Sequence, residues 1–239
     1  MIKKTINQND KYDQELLKTF NQNYTFSDSP LNRVKNIVQN EPDNQKNKIK
    51  NLDELKNEIN SIENCNLKKH ARQIVFGDGN INSSLMIIGG TPGEKEDLNG
   101  KTYSGEDGKL LEKMLLAINI KKKDTYTTYA INFRPQNDRK PSADEIKRYT
   151  PLLQKHIAII KPKLIILMGS TAMEALTGLN NKISIERGKW KEVIVKNTNY
   201  NVIITFNPSY LLRVPENKKY SWEDLKKIRQ KIQELNIKI

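Results

Sequence analysis

The feature that most restricts the fold is a short apolar run, Leu85–Ile88, that breaks at once into Gly89, Gly90, Pro92 and Gly93. A polar loop continues to Gly108, after which Leu110, Leu111, Met114, Leu115 and Ile118 recur at helical spacing. A strand that enters a glycine-rich turn before a helix sets backbone N–H groups at the carboxyl edge of a sheet, where open α/β sheets bind ligands. The turn fits neither G-x-G-x-x-G nor G-x-x-x-x-G-K-[ST]. Dinucleotide and Walker-type phosphate loops are therefore excluded.

The same texture recurs downstream. Apolar runs stand at Tyr126–Ile131, Leu164–Met168 and Val202–Phe206, with a weaker one at Val193–Val195, and helical patterns separate them. Ser142-x-x-Glu145 is a capping-box start for a helix to about Ile160, which Pro151 is expected to bend or divide. Thr171–Leu176 reads as a short helix. Ser221-x-x-Asp224 reads as the cap of a last one, with Trp222, Leu225, Ile228, Ile232 and Leu235 inward. Strands rich in Ile, Leu and Val alternating with helices predict an α/β fold with a mostly parallel sheet covered on both faces.

Residues 1–65 differ. They are polar, with one helical pattern at Tyr12, Leu16, Leu17 and Phe20, a linker-like stretch at Glu41–Lys50, and a helix expected over Leu52–Ile62. The predicted organisation is a polar helical segment, 1–65, followed by the α/β domain, 66–239.

A formal charge of +13 points to a polyanionic partner, nucleic acid first, although part of the lysine excess belongs to solvated surface. Cys65 is the one cysteine, which rules out a disulfide framework or a four-cysteine metal site built from this chain, and fits a reducing compartment. No run approaches the ~18 apolar residues of a membrane span, and Met1–Lys50 has no signal-peptide core. A soluble, cytoplasmic, monomeric protein is expected. His70 and His156 form no triad or metal spacing, so no metal site is expected.

Three segments fall where parallel strands should end: Gly89–Gly108, Asn132–Pro141 and Asn207–Arg213. In the second, Arg134, Arg139 and Lys140 between prolines suit either phosphate contacts or an exposed basic turn. In the third, Tyr210, Leu211, Leu212 and Arg213 suit either a wedge into a DNA stack or an ordinary strand-to-helix connection.

Taken in order, these segments resemble the uracil-DNA glycosylase superfamily, nearest to family 4 in its alphaproteobacterial form. That family's G-E-x-P-G, acidic pair and G-x-P-F-V-G-x-A-G-x-L-L compare with GGTPG, Glu96-Asp97 and GKTYSGEDGKLL. Its R-P-P-x-N-R-x-P compares with RPQNDRKP (134–141), and its H-P-[SA]-Y-L-L-R with NPSYLLR (207–213). VFGDGN (75–80) and RGKW (187–190) are similar to the same subgroup. The likeness spans about residues 65–232.

The resemblance implies a three-layer α/β/α domain around about four strands, and a base-excision repair enzyme that hydrolyses the N-glycosidic bond of uracil flipped out of DNA. It implies a base pocket of Gly89, Thr91, Pro92, Gly93, Tyr103 as the stacking aromatic, and Ser209. It makes Arg134 and Arg139 backbone contacts, and Tyr210, Leu211, Leu212 and Arg213 the wedging loop. The family's catalytic glutamate falls on Gly90 and its histidine on Asn207, whose amide can still donate to uracil O2. Glu96, or Glu94 on the same loop, is then the candidate surrogate carboxylate. The alternative is a homologue that binds DNA or uracil without efficient hydrolysis. Of the four cysteines that hold a 4Fe–4S cluster in many members, only Cys65 is present; the others fall on Ile62, Phe133 and about Tyr149. No cofactor is expected.

Overall fold

A computed structural model of the chain describes residues 41–237. The helical pattern at Tyr12–Phe20 lies outside them. Helix α1 (Glu41–Asn60) and α2 (Asn66–His70) lead into β1 (Gly77–Gly79) and β2 (Leu85–Gly89). Then come α3 (Glu94–Asn99), α4 (Glu106–Leu116), β3 (Tyr126–Tyr129), α5 (Ala143–Ile160) and β4 (Leu164–Met168). After α6 (Ser170–Thr177) and α7 (Ile183–Glu186), β5 (Trp190–Val195) and β6 (Thr198–Thr205) form a hairpin; α8 (Pro208–Arg213) and α9 (Lys218–Glu234) follow.

The sheet has six strands in the order β1-β3-β2-β4-β6-β5. The expected four parallel strands are its centre: β3, β2, β4 and β6 all run the same way. The two further strands are antiparallel edges. Neither carries a buried-strand signature. β1 is Gly77-Asp78-Gly79 with no fully buried residue, and β5 is buried only at Val195.

Alternation along the central strands builds both outer layers. Met86, Ile88, Ile165, Leu167, Val202 and Ile204 face α1, α5 and α6. Leu85, Ile87, Leu164, Ile166, Met168 and Ile203 face α4, α8 and α9. Each central strand is covered on both sides, which is why it reads as a continuous apolar run.

Local expectations fail at four places. Glu41–Lys50 is not a linker but the first half of α1, and the chain packs as one unit from Asn44. Lys48 anchors that half by donating to the carbonyls of Ile81 and Ile160, both at 3.0 Å. Such a tertiary tether is invisible to local composition. Helix α5 is not divided at Pro151, which lies on the exposed face beside exposed Lys147, so the freed carbonyl meets water. Helix α9 starts before Ser221, which is buried within it, and Trp222 turns outward at 43% exposure. Leu235 is likewise 37% exposed. None of the described helices is long and apolar enough to cross a membrane.

Candidate active site

The chain passes from β2 to β3 on one side and then to β4 on the other, so the topological switch point lies between β2 and β4. Ligands collect at such points, beyond the carboxyl ends of the strands. A cavity of about 220 Å³ lies there. Its walls are the first residues past three strands: Gly90 and Thr91 after β2; Gly169, Ser170 and Thr171 after β4; Phe206, Asn207 and Ser209 after β6. Tyr210 and Arg213 complete the rim.

Gly169 is what lets the middle wall close. It sits at φ 97°, in the left-handed region, and a Cβ built there would come 3.4 Å from that of Asn207. The chain thus turns directly from β4 into α6, whose N-terminus carries no side-chain cap. Asn207 caps α8: its Oδ1 accepts from the Ser209 N–H at 3.4 Å. That bond fixes the amide and leaves the Nδ2 donors without a partner among the described residues.

The aromatic wall is Phe206, stacked on Tyr210 with ring centroids 4.9 Å apart. Behind Phe206 the Arg187 guanidinium lies 5.8 Å from the ring centroid. Arg187 Nε donates to Asp224 Oδ2 at 3.0 Å, and Thr205 Oγ1 donates to the same oxygen at 2.8 Å. Burial raises the Asp224 carboxyl above the usual range, while Thr205 and Arg187 oppose that shift.

The first loop is differently organised. Glu96 is 2% exposed. Its Oε2 accepts from Gly93 N–H at 3.1 Å; its Oε1 accepts from the Ser104 and Gly105 N–H groups at 2.8 and 3.2 Å. The carboxylate therefore ties the start of α3 to the loop before α4 and does not line the cavity. Glu94 is exposed. Gly93 and Pro92 also stand behind the cavity, whereas Thr91 borders it.

Tyr103 does not line the cavity either. It is 2% exposed at φ 50°, with its ring 5.2 Å from that of Tyr129 and its N–H bonded to the Tyr129 hydroxyl at 3.1 Å. Its own hydroxyl has no partner among the described residues and reaches to 2.6 Å from where a Gly89 Cβ would stand. Burial pushes this phenol well above its ordinary pKa, so it stays neutral. Tyr103 packs against Gly89 and Tyr129, outside the cavity lining.

In the second loop Arg134 is paired with Asp138, Nε to Oδ1 at 2.7 Å, and Arg139 with Glu145 at 2.6 Å. Neither arginine borders the cavity; its neighbour Lys140 borders an adjoining hollow and pairs with Glu174 at 3.6 Å. In the third, Leu211 is a core residue at 1% exposure and Leu212 stands out at 42%. Arg213 is exposed beside it. Gly169, Ser170, Thr171 and Phe206 are the site residues that sequence reasoning missed. Only the position of Gly169–Thr171 directly after a strand could have singled them out.

The cluster positions have a different character. Cys65, Phe133 and Tyr149 are buried in one apolar cluster, with Ile62 packed against it. Cys65 Sγ and Tyr149 Oη are 3.4 Å apart. A 4Fe–4S centre needs four thiolate or equivalent ligands, and these side chains do not supply them.

Residues 76–229 match the Uracil DNA glycosylase superfamily. The chain belongs to that superfamily. It is 32% identical to the type-4 uracil-DNA glycosylase of Archaeoglobus fulgidus over 184 residues, 75% of this chain and 92% of the relative. The type-4 enzyme of Saccharolobus solfataricus is 32% identical over 75% of this chain and 86% of its own length. That of Thermotoga maritima is 32% identical over 68% of this chain and 85% of its own. The matched span includes Gly90, Thr171, Asn207 and Ser209, which line the switch-point cavity.

Proposed function

We propose that this chain is a uracil-DNA glycosylase that hydrolyses the N-glycosidic bond of a uracil extruded from DNA, through the cavity between Gly90, Thr171 and Asn207. The observation that carries the reading is the Asn207 amide, held at the cavity by its Oδ1–Ser209 bond, with Nδ2 3.8 Å from a Cβ built on the cavity-lining Gly169. As the C1′–N1 bond breaks, negative charge gathers on uracil O2, and a preorganised amide donor offsets it. The uncapped N-terminus of α6 adds a favourable field for the same charge. Phe206 and Tyr210 offer the base an apolar wall. Leu212 and Arg213 project towards the duplex, the leucine to occupy the emptied stack and the arginine to meet phosphate. Arg134 and Arg139 contact the backbone by exchanging their carboxylate partners, Asp138 and Glu145, for phosphate.

Glu96 acts by holding the loop, since its oxygens accept from Gly93, Ser104 and Gly105 N–H groups. The chemistry thus runs without a carboxylate from the first motif and is slow. The protein uses no iron–sulfur cluster, because one cysteine cannot ligate it. One observation favours a second reading, a homologue that binds without cleaving: no Asp or Glu lines the cavity.

A single-turnover assay on a uracil-containing oligonucleotide, with wild type beside Gly90→Glu, separates the two. Cleavage by wild type supports the glycosylase. Silence in wild type with cleavage by Gly90→Glu supports the binding homologue. Silence in both, with a folded protein, rejects hydrolysis at this site.

A further inference from the structure

We propose that Thr171 holds the attacking water for uracil excision, in the space beside Gly90; the proposal rests on the glycosylase reading. Hydrolysis of a glycosidic bond needs a water whose lone pair faces C1′ as the bond opens. A carboxylate usually orients it. Here none lines the cavity. Glu96 accepts from main-chain N–H groups of its own loop, and Asp97 accepts from Arg72 N–H at 2.9 Å. Neutral groups must do the work.

Among these, Thr171 stands apart. Its side chain borders the cavity, and the residue is only 8% exposed. Its hydroxyl makes no hydrogen bond within the described residues, and only Tyr103 and Ser221 among them leave a buried side-chain oxygen unpaired, so the Thr171 oxygen is open to water at the cavity. A Cβ built on Gly90 would lie 3.0 Å from Thr171 Cβ and 3.4 Å from Oγ1. The volume that any larger residue at position 90 would fill is therefore in contact with the Thr171 hydroxyl. Thr171 also opens α6, whose N-terminus has no side-chain cap, so unpaired main-chain donors lie beside it. Ser170, by contrast, is exposed and less confined.

In the step, Thr171 Oγ1 accepts a hydrogen bond from one O–H of the water, which leaves the water's lone pair free for C1′. The C1′–N1 bond breaks and its electron pair leaves with uracil; the water oxygen bonds to C1′. The proton lost from the water passes to solvent, and uracil is protonated at N1. Water and nucleotide become free uracil and an abasic sugar, with nothing else consumed. A hydroxyl is a weak base, so it positions the water without drawing its proton away early. The rate is then slow, and its pH profile carries no general-base limb from a carboxylate at the water, since none lines the cavity.

The test is single-turnover excision by wild type, Thr171→Val and Thr171→Ser, each also in a Gly90→Glu background, with binding to uracil-containing DNA and melting temperature measured alongside. Thr171→Val keeps the shape but removes the acceptor. It should slow excision at least about tenfold with binding unchanged, and Thr171→Ser should restore most of the rate. With Gly90→Glu the same valine change should cost little, because the new carboxylate holds the water. The proposal is overturned by a wild-type rate in Thr171→Val, or by equal losses in both backgrounds. No cleavage by folded wild type overturns the glycosylase reading itself, a different outcome from an active enzyme indifferent to Thr171.

Discussion

The two walls of the cavity are built on opposite plans. On the Gly89–Gly108 side, polar groups are spent internally: Glu96 accepts from main-chain N–H groups, Tyr103 bonds Tyr129, and Lys122 Nζ donates to the Tyr103 carbonyl at 2.9 Å. On the Asn207–Arg213 side, the Asn207 amide, Leu212 and Arg213 remain available. The lesson is that residue type does not reveal role. A glutamate in a loop beside the cavity spends its oxygens on main-chain N–H groups, whereas an asparagine at a helix cap keeps its amide donors without a partner among the described residues.

The sharpest way to break that contrast is Glu96→Ala. It strands buried N–H groups at Gly93, Ser104 and Gly105, and urea unfolding should show a loss of about 3–4 kcal/mol. A fully stable variant with abolished cleavage would return Glu96 to the chemistry. Next is the pair Leu211→Ala and Leu212→Ala. The first should cost about 3 kcal/mol of stability as a core truncation. The second should leave stability unchanged and slow excision from duplex more than from single strands; equal effects on both substrates would remove the wedge. Asn207→Ala should lower the single-turnover rate about a hundredfold, near 2.7 kcal/mol, while its lost cap lowers stability by only about 1 kcal/mol. A tenfold or smaller loss would shift the oxyanion role to α6.

The last effect is a pH slope in a part of the core that does not line the cavity. His156 is buried against Phe76 and bonded to Tyr126 Oη at 2.8 Å, and burial lowers its pKa to about 3. Its folded value lies below the unfolded one, so unfolding takes up a proton between about pH 6.5 and 3. Stability should therefore be full above pH 6.5 and fall by about 1.4 kcal/mol per unit below it. His156→Phe should remove that component of the slope in urea titrations across the same range; an unchanged slope would mean that carboxylates account for it.

Much of the fold was legible because the central strands are buried on both faces, which leaves an unbroken apolar signature. Edge strand β1 has no such signature, and α1's polar half is held by Lys48 bonds to residues far along the chain. In the site, the switch-point loops pointed to Gly90, Asn207 and Ser209. Thr171 and Phe206 escaped because each reads locally as the end of a regular element; only the order of the strands brings them together. Tyr103 and Leu211 were assigned to the ligand by motif position, yet each side chain turns inward at a backbone whose direction the motif does not specify.

The hydrogen bonds of Glu96 have a consequence for how this site can change over time. Glu96 holds the loop through bonds that do not involve position 90. A side chain at that position must make room against Thr171, 3.0 Å from a Cβ placed there, but it leaves the bonds of Glu96 untouched, so a lineage can change the reactive group while this part of the loop keeps its shape.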